Sequence, residues 1–263
     1  MPPQVFLRVA ALIGLLGALA WMGASSAWGQ ETRRRSGFED MSEATRAMQR
    51  DDRQNPAMLW VAEGDSLWQK PEGSPAQSCA ACHGPINSMR GVARQYPRFD
   101  TLSQQAVNLG GRINLCRQRH QQAIPWPLSD RRLLALETAI ALQSRAMPLQ
   151  PDPDPRLDPL RRSGELLFKQ RMGQLNLSCS QCHDQLAGSS LGGTLIPQGH
   201  PTGYPSYRLE WQTVGSLQRR LRNCLSGVRA QSFAYGSLEL LSLEAFLVVR
   251  AAGMPMETPS VRP

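Results

Sequence analysis

Two stretches, Cys79-Ala80-Ala81-Cys82-His83 and Cys179-Ser180-Gln181-Cys182-His183, decide how this chain is read. Cys-x-x-Cys-His is the attachment signature of a c-type haem. The two thiols add across the vinyl groups of the macrocycle, and the histidine that follows supplies one axial ligand to iron. A structural zinc site needs four ligands, commonly two close pairs. Here the pairs stand 100 positions apart and each brings its own histidine. A thioredoxin-like dithiol does not need that histidine and sits beside a βαβ pattern, of which this sequence carries no sign. Two covalently bound haem c groups are therefore expected, one on Cys79, Cys82 and His83, the other on Cys179, Cys182 and His183.

Outward from the motifs, the chain repeats itself. Gly64-Asp65-Ser66-Leu67-Trp68 returns as Gly164-Glu165-Leu166-Leu167-Phe168, each 15 residues ahead of its first haem cysteine. Each half has a later lone cysteine in an arginine-rich segment, Arg112 to Arg117 around Cys116 and Arg219 to Cys224. Each then closes on an apolar run ending in Met-Pro, Glu137 to Met147-Pro148 and Glu244 to Met254-Pro255. A period near 100 is too long for a solenoid. The fold expected is mainly α, with two tandem cytochrome c-like domains related by internal duplication.

The 263 residues suffice for two such domains. Residues 1–29 read as a cleaved signal peptide: Arg8, an apolar run from Ala10 to Met22, then Ala27-Trp28-Gly29. An uncleaved anchor is the alternative, but the run is short for a membrane span. Periplasmic export agrees with haem attachment. A polar N-terminal arm at 30–60 is expected to hold a helix from about Met41 to Arg50. The first domain is placed at 61–150, closed by a helix over Leu133 to Ser144. Pro151-Asp152-Pro153-Asp154-Pro155 reads as an extended linker. The second domain, 157–256, is closed by a helix over Leu238 to Ala251, and the tail at 257–263 is expected to be flexible. Strand signals are weak throughout.

The formal charge is +8 and stays positive without the leader, whose charged side chain is Arg8. Lys70 and Lys169 apart, the cationic residues are arginines, which favours bidentate recognition of oxyanions. An exported haem protein without a binding motif is not a nucleic-acid binder. Four of six cysteines go to haem. Cys116 and Cys224 could pair with each other, but their equivalent places in two repeats fit better as sixth ligands, each in its own half. The iron ligands are then His83 with Cys116 and His183 with Cys224. Met89, Met147, Met172, Met254, His120 and His200 are the other candidates, with Met147 and Met254 read as helix-end core residues. Arginines around Cys224 would hold it as thiolate. Arg220, at i−4, shares its helix face and is the one placed to meet an anion beside the sulfur. The interval from haem motif to lone cysteine is longer in the second half, which marks that half as the place for chemistry.

Several segments together resemble the SoxA family, the two-haem subunits of SoxAX cytochrome complexes of sulfur-oxidising bacteria. They are the two haem motifs, Arg112-Ile113-Asn114-Leu115-Cys116-Arg117 with Pro125-Trp126, Gly199-His200-Pro201, Tyr207-Arg208-Leu209-Glu210-Trp211 and Gly215 to Cys224. The resemblance covers nearly all of the chain beyond the leader. It implies an L-cysteine S-thiosulfotransferase that joins thiosulfate oxidatively to a cysteine of a SoxYZ-type carrier. Cys224 would be the catalytic ligand, often a persulfide in such proteins, and Arg220 the active-site arginine. It further implies a heterodimer with a SoxX-type single-haem cytochrome c, and electrons passing on to a soluble cytochrome c. Some members lack the first haem; this chain keeps Cys79, Cys82 and His83. Rival readings are a two-haem electron carrier with no substrate of its own, a two-haem peroxidase, and a structural partner for another cytochrome.

Overall fold

The computed structural model describes residues 33–263; the expected leader at 1–29 lies outside the described residues. The repeat seen in the sequence is a repeat of helix pairs. Helix α1 (Glu43–Arg50) belongs to the arm. Helices α2 (Met58–Gln69), α3 (Cys79–His83), α4 (Leu109–Cys116) and α5 (Arg131–Leu142) build the first lobe. Helices α6 (Asp158–Lys169), α7 (Leu217–Gly227) and α8 (Leu238–Arg250) build the second, where the haem motif enters a π-helical turn at Gln181–Gln185. Polar side chains set the starts of most of these helices by accepting free N–H groups: Ser78, Asn108, Asp130, Ser216 and Ser237 each cap the helix that follows.

Helix α2 crosses α5, and α6 crosses α8, at a glycine. A Cβ on Gly64 would overlap the Ala135 carbonyl, and one on Gly164 the Ser242 carbonyl. The close crossings carry Trp68 and Phe168, both 2 % exposed, against the histidines of the two Cys-x-x-Cys-His motifs. Ring centroids are 5.7 Å apart for Trp68 and His83 and 6.4 Å for Phe168 and His183. The closing helices α5 and α8 are apolar around most of their circumference because they are buried around most of it.

The two lobes meet as matched surfaces. Met147 and Leu149 exchange backbone hydrogen bonds with Met256 and Met254, so the two Met-Pro segments pair antiparallel about Pro148 and Pro255. Ala141, Leu149, Val248, Ala251, Met254 and Met256 form one core cluster drawn from both lobes. Residues 35–263 thus make a single unit rather than two beads on a linker. Near the junction lie Glu137 and Glu244, at the same place in each repeat. Burial drives both carboxyls up. Glu137 reaches about 8, with the neighbouring Glu244 charge adding to burial and the Gly110 N–H opposing it. Glu244 reaches about 7, held lower by hydrogen bonds from Asn108 and Gln218.

Three expectations need correction. The tail is not flexible: β7 (Ser260–Arg262) runs parallel to β5 (Ser206–Arg208), which also pairs with β6 (Thr213–Gly215) in a sheet of order β6-β5-β7, and Val261 is wholly buried. Burying one valine contributes about 1.5–3 kcal/mol, enough to hold a short strand whose backbone is also paired. The arm's expected end at residue 60 falls inside α2, since Ala57 and Trp60 already belong to the core. Strands are present though short. Besides β5, β6 (Thr213–Gly215) and β7 there are β1 (Arg98–Asp100), β2 (Gln105–Val107), β3 (Ser190–Leu191) and β4 (Thr194–Leu195). Segments of two or three residues are too brief for an alternation pattern to show in sequence. No helix among the described residues is long and apolar enough to cross a membrane.

Candidate functional site

Each lobe holds a cleft built on one plan. In the first, Ser78 Oγ accepts the Ala81 N–H at 3.1 Å and starts α3, so Cys79 and Cys82 stand at i, i+3 on one helical face. Both thiols, His83 and Cys116 line a cleft of about 930 Å³. Its walls are Trp68, Val92, Leu109, Ile113, Leu136 and Ile140. In the second, Ser178 Oγ plays the same part toward the Gln181 N–H at 3.2 Å. Cys179, His183, Arg220 and Cys224 line a cleft of about 1630 Å³. Cys182 is on the same turn but does not reach that lining. Helices α4 and α7 present the same face: Leu109, Arg112, Ile113 and Cys116 in one, Leu217, Arg220, Leu221 and Cys224 in the other.

The donors fit a covalently attached haem. Each cleft sets an imidazole and a thiol on a largely apolar wall, beside cysteines with attachment spacing. In the second lobe the histidine is also oriented. Its Nδ1 lies 2.7 Å from the Pro197 carbonyl, which leaves Nε2 as the ring's remaining donor atom. Gly199, at φ +72°, makes this approach possible, because a Cβ would stand 3.1 Å from the His183 ring. His83 makes no such hydrogen bond among the described residues.

The two lone cysteines differ electrostatically. Burial pushes the Cys116 thiol up, and Arg112 and Arg119 do not offset it. Burial also pushes on Cys224, but the His183 hydrogen bond and the Arg220, His183 and Arg208 charges outweigh it, leaving this thiol below its ordinary value. Cys116 and Cys224 line separate clefts, so a bond between them is not part of this fold, and no disulfide joins any of the six cysteines. Of the other candidate ligands, Met89 and His120 line the first cleft and His200 the second, whereas Met147, Met172 and Met254 line neither.

Sequence reasoning missed part of the second cleft's wall. Asp40, Met41 and Thr45 of the arm and Arg262 of the tail line it, together with Tyr204 and Arg208. Arg208 had been visible as part of a motif, but no local pattern tied the two chain ends to the site.

The SoxA/TsdA cytochrome c domain matches the chain twice, over 63–149 and 163–256. This chain belongs to the SoxA family. The SoxA subunit of L-cysteine S-thiosulfotransferase from Rhodovulum sulfidophilum is 33 % identical over 229 residues, covering 87 % of this chain and 80 % of that one. The subunit of the same name from Pseudaminobacter salicylatoxidans is 34 % identical over 229 residues, covering 86 % and 80 %. The crystal structure of SoxXA from P. pantotrophus superposes with a TM-score of 0.84 at 31 % identity, covering 88 % of this chain and 87 % of that one. As a SoxA-family member with a cytochrome c domain in each lobe, the chain is a c-type haem protein.

Proposed function

We propose that this chain is the haem subunit of a periplasmic L-cysteine S-thiosulfotransferase, coupling thiosulfate to a cysteine of a SoxYZ-type carrier. The observation that carries the reading is the pairing of Cys224 with Arg220 on one cleft. The Arg220 guanidinium makes no ion pair among the described residues, so its donors remain for an incoming oxyanion. Two haem c groups would be held by Cys79, Cys82 and His83 and by Cys179, Cys182 and His183, with Cys116 and Cys224 as further iron donors. The bound haem supplies an iron that can accept electrons one at a time.

The residues of the chain do the rest. Arg220 engages the sulfonate of thiosulfate, leaving the terminal sulfur toward Cys224. The two sulfurs join as the Cys224 thiolate and thiosulfate together give up two electrons, leaving a Cys224–S–S–SO3⁻ group. The carrier thiolate then attacks the sulfane sulfur; the bond to Cys224 breaks and the Cys224 thiolate is restored. Electrons leave through a SoxX-type single-haem partner to a soluble cytochrome c. The resemblance of the whole chain to a subunit in SoxXA supports that partner, and the leader read at 1–29 supports export and cleavage.

Mass spectrometry of the intact protein and of its Cys224 peptide tests this. Two haems and an added sulfur or thiosulfonate on Cys224 after exposure to thiosulfate are expected. A Cys224→Ala variant with full haem content and full thiosulfate-dependent turnover would overturn the reading.

A further inference from the structure

The hairpin that leads into each lone-cysteine helix is conserved in geometry between the lobes but inverted in charge. Strands β1 and β2 pair Arg98 with Val107, Phe99 with Ala106 and Asp100 with Gln105. Strands β5 and β6 pair Ser206 with Gly215, Tyr207 with Val214 and Arg208 with Thr213. Adding 108 to every number of the first hairpin gives the second. The same offset carries Tyr96-Pro97 to Tyr204-Pro205, Arg112 to Arg220 and Cys116 to Cys224. At this offset Asp100 becomes Arg208.

The consequence differs sharply between the clefts. Asp100 is 3 % exposed and takes Arg112 at 2.8 Å and Arg119 at 2.5 Å. The first lobe's arginine beside its cysteine is therefore already spent on a carboxylate of the chain. In the second lobe no carboxylate occupies that place. Arg119 is replaced by Gly227, and Arg220 makes no ion pair or side-chain hydrogen bond among the described residues. Arg208 lines the cleft with Arg220 and Cys224. Its Nε donates to Glu210 at 3.2 Å, a residue whose side chain is half exposed at 48 %, while the two terminal nitrogens make no hydrogen bond among the described residues. Of the other Asp and Arg side chains on this cleft, Arg262 is matched by Glu257 and Asp40 by Arg35.

We propose that Arg208 is a second oxyanion-binding residue of this cleft, clamping the substrate sulfonate together with Arg220, and that Asp100 closes the equivalent place in the first lobe to anions. The proposal rests on the thiosulfate reading for the identity of the anion, though not for the presence of an anion subsite. Two guanidinium forks match a doubly charged, three-oxygen sulfonate end in both charge and donor geometry. A single point charge would not fix which end of thiosulfate points to the sulfur.

The test uses the haem-loaded complex with Arg208→Gln and Arg208→Lys. Loss of one charge-assisted contact is expected to raise KM for thiosulfate about 10- to 100-fold in Arg208→Gln, with a smaller change in kcat and partial recovery in Arg208→Lys. A second readout is independent of turnover. The rate of Cys224 alkylation by anionic iodoacetate, divided by that by neutral iodoacetamide, should fall by a similar factor in Arg208→Gln. Taking the ratio cancels any change in how readily the thiol is exposed. An unchanged ratio with unchanged KM overturns the proposal. A wild-type complex that fails to couple thiosulfate, yet whose ratio falls in the variant, keeps the anion subsite and sinks the thiosulfate reading instead.

Discussion

The first and second lobes share a helix plan, a glycine crossing, an aromatic ring on the histidine and a cysteine on the far wall. They differ in what else reaches the cleft. The first cleft is lined entirely by its own repeat, from Trp68 to Ile140. The second draws on the arm, on the loop at 193–204 and on the C-terminal strand, and is the larger of the two. A duplicated scaffold has thus been made unequal by a longer loop inside the second copy and by the arm and C-terminal strand from outside it. One copy pairs the arginine beside its cysteine with a buried carboxylate; the other leaves Arg220 without an ion pair among the described residues. Position, not residue type alone, separates the two cysteines: Arg112 and Arg220 are the same residue at the same offset, and only the presence of Asp100 distinguishes their availability.

The strongest break in this comparison is expected at the cysteines themselves. Cys224→Ala should lower thiosulfate-dependent turnover by at least about a thousandfold, as removal of an attacking group does. Cys116→Ala should alter the optical spectrum and potential of the first haem, while turnover falls by less than about tenfold on the same kinetic scale. Equal losses in the two variants would show that the lobes are not divided in the way described.

The next effect tests what the lobes share. Gly64→Ala and Gly164→Ala each drive a methyl into a facing carbonyl, and each should destabilise by about 3 kcal/mol. Denaturant unfolding of the haem-loaded protein measures this. A large cost at one glycine alone would mean that only one crossing is close.

Deleting residues 260–263 should cost about 2 kcal/mol, the worth of one buried aliphatic side chain, and raise KM for thiosulfate. The spectrum of the first haem should stay as it is. A spectral change confined to the first haem would contradict the assignment of the tail to the second cleft.

The smallest effect concerns Glu137 and Glu244, whose pKa values lie at about 8 and about 7 against about 4.5 for an ordinary glutamate. Both bind their proton more tightly folded than unfolded. Their contribution to stability is therefore full below about pH 4.5 and lost as pH rises through 7 and 8, by on the order of 1.4 kcal/mol per group for each pH unit crossed. Glu137→Gln should flatten that decline up to the higher pH, and Glu244→Gln should do so over a shorter range. Melting temperatures taken from pH 5 to 9 check both, and parallel pH curves for wild type and variants would refute the assignment.

Much of this was legible in the chain. The haem motifs, the closing helices near Leu133–Ser144 and Leu238–Ala251, and the shared face of Arg220 and Cys224 all follow from spacing at helical period, which survives in sequence because helices are local. The flexible tail was misread because a three-residue strand carries no periodicity, and Val261 is buried only because β5 lies beside it. The neutralisation of Arg112 was likewise hidden: Asp100 lies twelve positions away and meets it only when the β1–β2 hairpin packs on α4.

Sequence by itself determined the motifs on which the proposed covalent chemistry rests: two Cys-x-x-Cys-His stretches, their duplication, and a lone cysteine in each repeat, since thiol spacing and adjacent histidines need no tertiary context to be read. Tertiary structure alone decided which of the two arginines beside a lone cysteine is paired with a carboxylate. Charge balance in a buried cleft depends on distances between residues far apart in the chain, and an arginine is available to a substrate only where the fold sets no carboxylate against it.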